Sequence, residues 1–293
     1  MVQTLQIKFF TFSNFLNILE QSSTTGILAI GLTFVLLTGG MDLSGPAIMA
    51  LSAVLGTHLM VEYGSHWIVG AFVMPCIGLL LGCFNGFAVS YLGMLPFLVS
   101  LSTMTVYGGF ALWFTDAQSI YGLPENYIFA FTKPILGIPT PIFILFISGF
   151  LGQFILNKTI LGRWIYLVGV NKTAAYLAGV PIRIVLLISY SLSGFFAGLT
   201  ALILSARLES ASAGMGGEMV IMDVISGAAM GGVSLYGGSG NMVGAIIGTL
   251  FVTLIENIMN IIDLSSYISM VIKGIIIIIA VIFNRYFTHR NCN

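Results

Sequence analysis

From Trp67 to Thr115 the chain carries no charged residue. That run is too long for one helix and too apolar for any position that meets water. Gly93-Met94-Leu95-Pro96 divides it, since a proline restrains the residue before it and starts a helix more readily than it continues one. The run therefore predicts two consecutive helices in lipid, where a span takes about 20 apolar residues. Composition extends the inference to the whole protein. Of 293 residues, 58% are apolar and 7% charged, against about 25% charged in an average soluble protein. A soluble core has no use for so much apolar surface, so the chain reads as an all-α, multi-pass membrane protein.

The remaining elements follow in order. Residues 1–20 look amphipathic, with Phe12, Phe15, Leu16 and Ile18 opposite Lys8, Asn14 and Glu20, and are expected to lie on the extracytoplasmic membrane surface. No cleavable signal is apparent there. Spans are expected near 21–41, 47–61, 67–93, 96–115, 135–156, 184–206, 220–234, 241–262 and 267–284. This makes about nine hydrophobic elements, two of them short or broken by glycine. The membrane-spanning body would be 21–293, with halves 21–157 and 184–285 joined by 158–183.

The joining stretch is basic. Lys158, Arg163, Lys172 and Arg183 occur in it with no acid between. With that stretch inside, Arg285 and Arg290 fall on the same side, while Glu20, Glu62, Asp116, Glu125, Glu209, Glu218 and Asp263 fall outside. This is the lysine and arginine asymmetry expected of a cytoplasmic loop, and it puts the N-terminus outside. Within the loop, Asn171 is placed to cap a short helix over 172–177 that Gly179 and Pro181 end. Ala174, Ala175 and Ala178 give it a small face suited to a partner's groove.

Gly39–Gly56 and Gly231–Gly248 align without a gap. Gly39, Gly40, Leu43, Gly45, Ala53 and Gly56 meet Gly231, Gly232, Leu235, Gly237, Ala245 and Gly248. Two parallel repeats with Gly-broken inner turns are expected, since breaks at membrane depth survive only where protein or a watery path covers the backbone.

No catalytic or metal-binding constellation occurs, no cofactor motif, and no Gly-x-x-x-x-Gly-Lys-Ser/Thr phosphate loop. If transport is driven, an ion gradient or a separate ATPase drives it. Asp42 with Ser44 suits a cap for a helix starting near Pro46, against a direct substrate or gate contact. Asn85 and Asn241 suit either a path for hydroxylated solutes or bonds between helices. Trp67, Trp113, Tyr121 and Tyr127 read as interfacial belt residues rather than sugar platforms. Glu256 and Lys273 fall at similar depth, about 9 Å below the outer surface at 1.5 Å per residue, so an ion pair between neighbouring helices is expected, unless Lys273 snorkels outward. Asp223 is the weak candidate for ion coupling. Cys76 and Cys83 read as small buried apolar residues.

Five stretches together resemble the permease subunits of ribose-type sugar ABC importers: GGMDLS (39–44), NGFAVSYLGMLPFLVSLSTMTVYGG (85–109), IYGLP (120–124), GRWIYLVGVNKTAAYLAGV (162–180) and GGVSLYGGSGNMVGAIIGTL (231–250). The likeness runs over about 13–285. It implies an alternating-access pore in the bacterial cytoplasmic (inner) membrane. It also implies a cytoplasmic ABC ATPase dimer, an extracytoplasmic sugar-binding protein and a second permease subunit, identical or not, with membrane lipid around them and no nucleic acid. The substrate would be a ribose-like pentose, a hexose or a related furanose or polyol. By position, Gly162, Arg163, Asn171, Lys172, Ala174, Ala175 and Gly179 would form the ATPase-coupling loop. Gly39, Gly40, Asp42 and Ser44, with Gly231, Gly232, Gly237 and Gly238, would form paired inner gate turns. Two departures stand out: Gly45-Pro46 replaces the family's usual Val-Gly, and Ser239 stands where an arginine is usual. The family also carries one further helix before the point where this sequence begins, so an upstream start is expected. The competing reading is a secondary transporter driven by an ion gradient, which needs a deep, unpaired acid.

Overall fold

The structure is a computed structural model that describes residues 9–265, 267–276 and 278–279. The expectations for Lys8, Arg285, Arg290 and the end of the last span lie outside these residues. Twelve helices are described here in chain order. The helix α1 spans Phe12–Leu37, α2 Gly45–Val61, α3 Trp67–Ser90, α4 Pro96–Phe114, α5 Glu125–Thr132 and α6 Thr140–Lys158. They are followed by α7 Ile160–Val170, α8 Lys172–Leu177, α9 Ile182–Leu208, α10 Glu218–Met230 and α11 Met242–Ile261, and by α12, Tyr267–Ile276. Six of these, α1, α3, α4, α6, α9 and α11, are long and apolar enough to cross a membrane.

The N-terminal segment does not stand apart from the first span. From Phe12 it is the opening of α1, with Ile18 already buried. Asn14 and Asn257 exchange side-chain amide hydrogen bonds of 3.0 and 2.9 Å, tying the start of α1 to the far end of α11. The outer connection after α4 is more ordered than a polar loop. It contains α5 and two short antiparallel pairs: β1 (Ile120–Tyr121) with β4 (Ser210–Ala211), and β2 (Pro134–Ile135) with β3 (Ile138–Pro139). Tyr127 on α5 is fully buried rather than interfacial, and its hydroxyl bonds Leu202 O at 2.8 Å and Ser205 Oγ at 2.7 Å. Trp113 and Tyr121 are exposed. Cys76 and Cys83 are half-buried.

The most extensively packed helix pair is α3 against α9. Gly82 and Gly194 face each other, and a Cβ added to either would stand 2.9 or 2.8 Å from the other's Cα. In lipid no hydrophobic drive brings helices together, so contact depends on backbones approaching closely, which small residues permit. This seam sets α9 at the centre of the fold, with α1 and α2 packed on its other sides.

Arg207 pairs with Glu20 at 3.5 Å, which puts the end of α9 on the same side as the early turns of α1. The pairing of β1 with β4 brings the segment after α4 against the segment after α9.

Candidate functional site

Two chain breaks lie at the centre of the molecule, and both begin in the same way. At the end of α1, Gly39 takes a left-handed φ of +73°. Its N–H bonds Leu36 O, and the Gly40 N–H bonds Val35 O. At the end of α10, Gly232 takes φ +81°, with the N–H groups of Gly232 and Val233 bonding Ala229 O and Ala228 O. Each is a helix terminus closed by the paired bonds that a left-handed glycine makes available. The left-handed glycines are Gly39 and Gly232, one residue out of step with the alignment that pairs Gly39 with Gly231.

Beyond the glycines the breaks differ. After Gly40 the chain climbs back alongside α1 instead of turning at the helix end. Gly45, the first residue of α2, packs beside Leu28 at 3.9 Å (measured to an added Cβ), and Leu28 lies about 13 Å up α1 from Leu37. Asp42 and Ser44 are therefore buried, at 1% and 0% exposure, and are not surface residues of an inner turn. One Asp42 carboxylate oxygen accepts from the Ser44 N–H (3.0 Å) and hydroxyl (2.5 Å), and the other from the Ser193 hydroxyl on α9 (2.9 Å). Asp42 thus holds the turn before α2 by accepting from Ser44, while the Ser44 hydroxyl makes no cap bond to α2 itself. Asn85, also fully buried, donates to Ser44 Oγ at 2.8 Å and accepts from the Tyr107 hydroxyl at 3.2 Å. It bridges helices and lines no open path in this conformation. The Tyr190 hydroxyl donates to Met41 O at 3.2 Å. Two helices, α3 and α9, are thus bonded to one extended segment, and α4 reaches it through Asn85.

The first turn of α10 approaches the same point. Gly216, just before α10, packs on Pro46 and on Ala50 (3.1 Å from an added Cβ). Ile221 and Val224 share with Asp42, Pro46 and Ser193 a space of about 10 Å³, room for about one water. The helices α2 and α10 therefore start side by side inside the fold and run to opposite faces. The space between them is closed in this conformation.

The two breaks meet beside the end of α1. The Gly238 N–H bonds Leu37 O at 3.0 Å, and a Cβ on Gly237 would stand 2.9 Å from Gly39 Cα. The basic loop joins them there through α7. Gly169 lies flush against Leu37 O and Gly238 N, leaving no room for a side chain. The Tyr166 hydroxyl donates to Gly240 O at 2.7 Å, and the Gln153 side chain accepts from the Met242 N–H at 2.9 Å. Asn241 caps α11, accepting from the Gly244 N–H at 2.7 Å.

The rest of the loop faces outward. Thr159 caps α7 by accepting from the Gly162 N–H at 3.2 Å, and Arg163 is exposed. Asn171 caps α8 by accepting from the Ala174 N–H at 3.0 Å. Gly179 follows with φ +78°. Lys172, Ala174 and Gly179 are exposed, but Ala175 is buried against the protein itself at 2%. The small face expected on α8 is thus divided. Its outward surface carries Tyr176 and Leu177 instead, 72% and 80% exposed.

Sequence reasoning did not find Tyr107, Tyr166, Gly169, Tyr190 or Ser193. Each lies in an apolar run where one tyrosine, serine or glycine is unremarkable, and only its partner across the fold gives it meaning. Away from this centre, Lys273 on α12 pairs with Asp223 on α10 at 3.1 Å and with Glu256 on α11. The expected Glu256–Lys273 pair is present, and Asp223 joins it. Asp223 is therefore not the unpaired acid that gradient-driven transport needs.

Comparison with known proteins fits this geometry. Residues 14–281 match the family model described as the permease component of branched-chain amino acid transport systems. The ribose import permease protein RbsC of Bacillus subtilis (strain 168) is 38% identical over 282 residues, which is 93% of this chain and 84% of that protein. RbsC of Escherichia coli (strain K12) is 35% identical, covering 96% of this chain and 88% of its own length. The D-allose transport system permease protein AlsC of the same strain is 34% identical, covering 94% and 85%. No solved structure matches. The chain belongs to the family of transport-system permease components and, within it, to the ribose-type permease subunits of ABC importers, multi-pass membrane proteins that leave ATP hydrolysis to a separate subunit.

Proposed function

We propose that this chain forms one half of the membrane path of an importer for an uncharged sugar, a pentose, hexose or related furanose or polyol, in the bacterial inner membrane. A cytoplasmic ATPase pair drives it, an extracytoplasmic binding protein delivers the sugar, and a second permease subunit completes the pore. Nine membrane elements are assigned: the six long helices together with α2, α10 and α12. The two breaks at Gly39 and Gly232 are read as the inner ends of two related halves.

One observation carries the mechanism. The basic loop touches both breaks through backbone at Gly169, with no flexible side chain between. A push on α7 and α8 from the cytoplasm is therefore delivered to the chain at Leu37–Gly39 and at Gly237–Gly240 together. Moving the first break shifts Asp42 and Ser44 against α9 and α3; moving the second shifts α10. Since α2 and α10 start side by side, separating them opens the closed point beside Asp42. The ATPase binds Arg163, Lys172 and the apolar pair Tyr176–Leu177, and the chain performs no covalent chemistry.

The test is reconstitution of the chain with its co-purified ATPase and binding protein, with uptake of D-ribose and D-allose followed. Arg163→Glu is expected to leave membrane insertion intact while uncoupling uptake from ATP hydrolysis. Uptake that persists without ATP and collapses with an ionophore would overturn the proposal.

A further inference from the structure

At the outer end of α2 lies a cavity of about 300 Å³, at the lower limit of the range typical of small-molecule sites. It is separated from the Asp42 region by the length of α2, about 20 Å at 1.5 Å per residue. Its walls combine two kinds of group. Phe114 and Tyr121 present rings, while Glu62, Asp116, Gln118 and His58 present polar atoms. The walls are held in place by contacts among themselves and with the chain around them. His58 is held edge-on by Phe114 (ring centroids 4.8 Å) and by Tyr63 (5.5 Å). The loop after α4 is pinned by bonds from Ala117 N–H to Leu112 O and from Gln118 N–H to Thr115 O, each 2.9 Å. Tyr121 is clamped by the pairing of β1 with β4 and still leaves its side chain 68% exposed.

The lining selects a chemistry. Ring faces pack against C–H bonds. Carboxylates accept from hydroxyl groups, and a primary amide both donates and accepts. Among the described residues no lysine or arginine lines the cavity, and its two acids repel an anion, so phosphorylated or acidic sugars are disfavoured. A cofactor is too large. What fits is a small neutral polyol with vicinal hydroxyls and one apolar face.

We propose that this cavity is an entry subsite on the permease itself, where a neutral monosaccharide rests between leaving the binding protein and entering the path along α2. Glu62, Gln118 and Tyr121 act there as specificity-determining residues. The proposal rests on the sugar-importer reading above. It explains why an exposed tyrosine stands beside two acids that make no ion pair among the described residues, at the head of the helix that leads to the closed point.

The test uses the full chain in lipid nanodiscs without binding protein, followed by saturation-transfer NMR with D-ribose, D-allose, ribose 5-phosphate and spermidine as separate probes. The two neutral sugars are expected to receive signal and ribose 5-phosphate to receive none. Tyr121→Ala and Glu62→Gln are each expected to weaken sugar binding at least fivefold. Both positions are exposed, and size-exclusion profiles and membrane levels matching the unaltered chain check that the variants fold. Absence of sugar signal would overturn the subsite, as would signal unchanged in both variants or a signal from spermidine alone. Loss of binding-protein capture with sugar signal untouched would identify the cavity as a protein contact and also overturn it. ATP-driven uptake by the reconstituted importer distinguishes failure of the subsite from failure of the importer reading, since uptake persists in the first case and not in the second.

Discussion

The breaks after α1 and after α10 start from the same local device and end in different places. Both terminate a helix on a left-handed glycine with the same pair of backbone bonds. After the first, the chain carries an acid and a serine back into the membrane, so α1 and α2 scarcely touch. After the second, the chain turns at the helix end and returns as a hairpin, with α10 packed along α11. The difference lies in what each break has to bond with. Asp42 has Ser44 close by and Ser193 across the fold. In the second break the bonds are short-range or end on backbone: Ser234 N–H to Ser239 O, Tyr236 N–H to the Ser234 hydroxyl, and the Tyr166 hydroxyl to Gly240 O. A polar residue can be carried inward only where partners await it, since an unsatisfied group in lipid costs several kcal/mol.

The contact the two breaks share gives the largest expected effect. Gly169→Leu places a side chain where Leu37 O and Gly238 N already stand. Uptake should fall more than tenfold, while capture of the ATPase by the exposed residues of α8 survives. Normal uptake in that variant would show that the loop does not act through this contact.

The first break is tested next by Asp42→Ala, which removes the acceptor for three donors. Stranding a buried donor costs on the order of 1–3 kcal/mol, so the detergent-solubilised melting temperature should drop clearly. Asp42→Asn, which keeps one acceptor oxygen, should recover part of it. Equal melting of the two variants would mean that the bonds to Asp42 contribute little.

The support of α10 is probed by Lys273→Met. It leaves Asp223 and Glu256 facing each other without a cation, and these side chains are 12% and 27% exposed. Breaking a fully buried pair costs about 3–5 kcal/mol; with this partial exposure about 2 kcal/mol is expected, and Asp223→Asn added to Lys273→Met should restore some of it. The smallest effect belongs to the second break: Asn241→Ala removes a helix cap worth about 1 kcal/mol and should leave uptake near normal. If Asn241→Ala matched Asp42→Ala, the contrast between the breaks would fail.

Much of this architecture was legible in the chain. The uncharged run around Gly93–Pro96 divides into α3 and α4 with the break where proline and glycine placed it. The short helix over 172–177 is α8, with Asn171 at its start. The pairing of Glu256 with Lys273 followed from depth alone. These are local or one-dimensional signals, fixed by backbone stereochemistry and by the cost of charge in lipid. The height of Asp42 was not legible, because GGMDLS and GGVSLY look alike until Ser193 and Asn85 are placed beside one and not the other. Nor was the divided face of α8, since three alanines do not say which of them meets the protein.

The sequence by itself determined that the chain lies in lipid, where its helices stop and which loop carries positive charge. Each of those depends on the preferences of residues near one another in the chain. Only the tertiary structure decided that one glycine break climbs while the other turns, and that a single glycine of the basic loop touches both. Those outcomes depend on hydrogen-bond partners and backbone clearances between helices far apart in sequence.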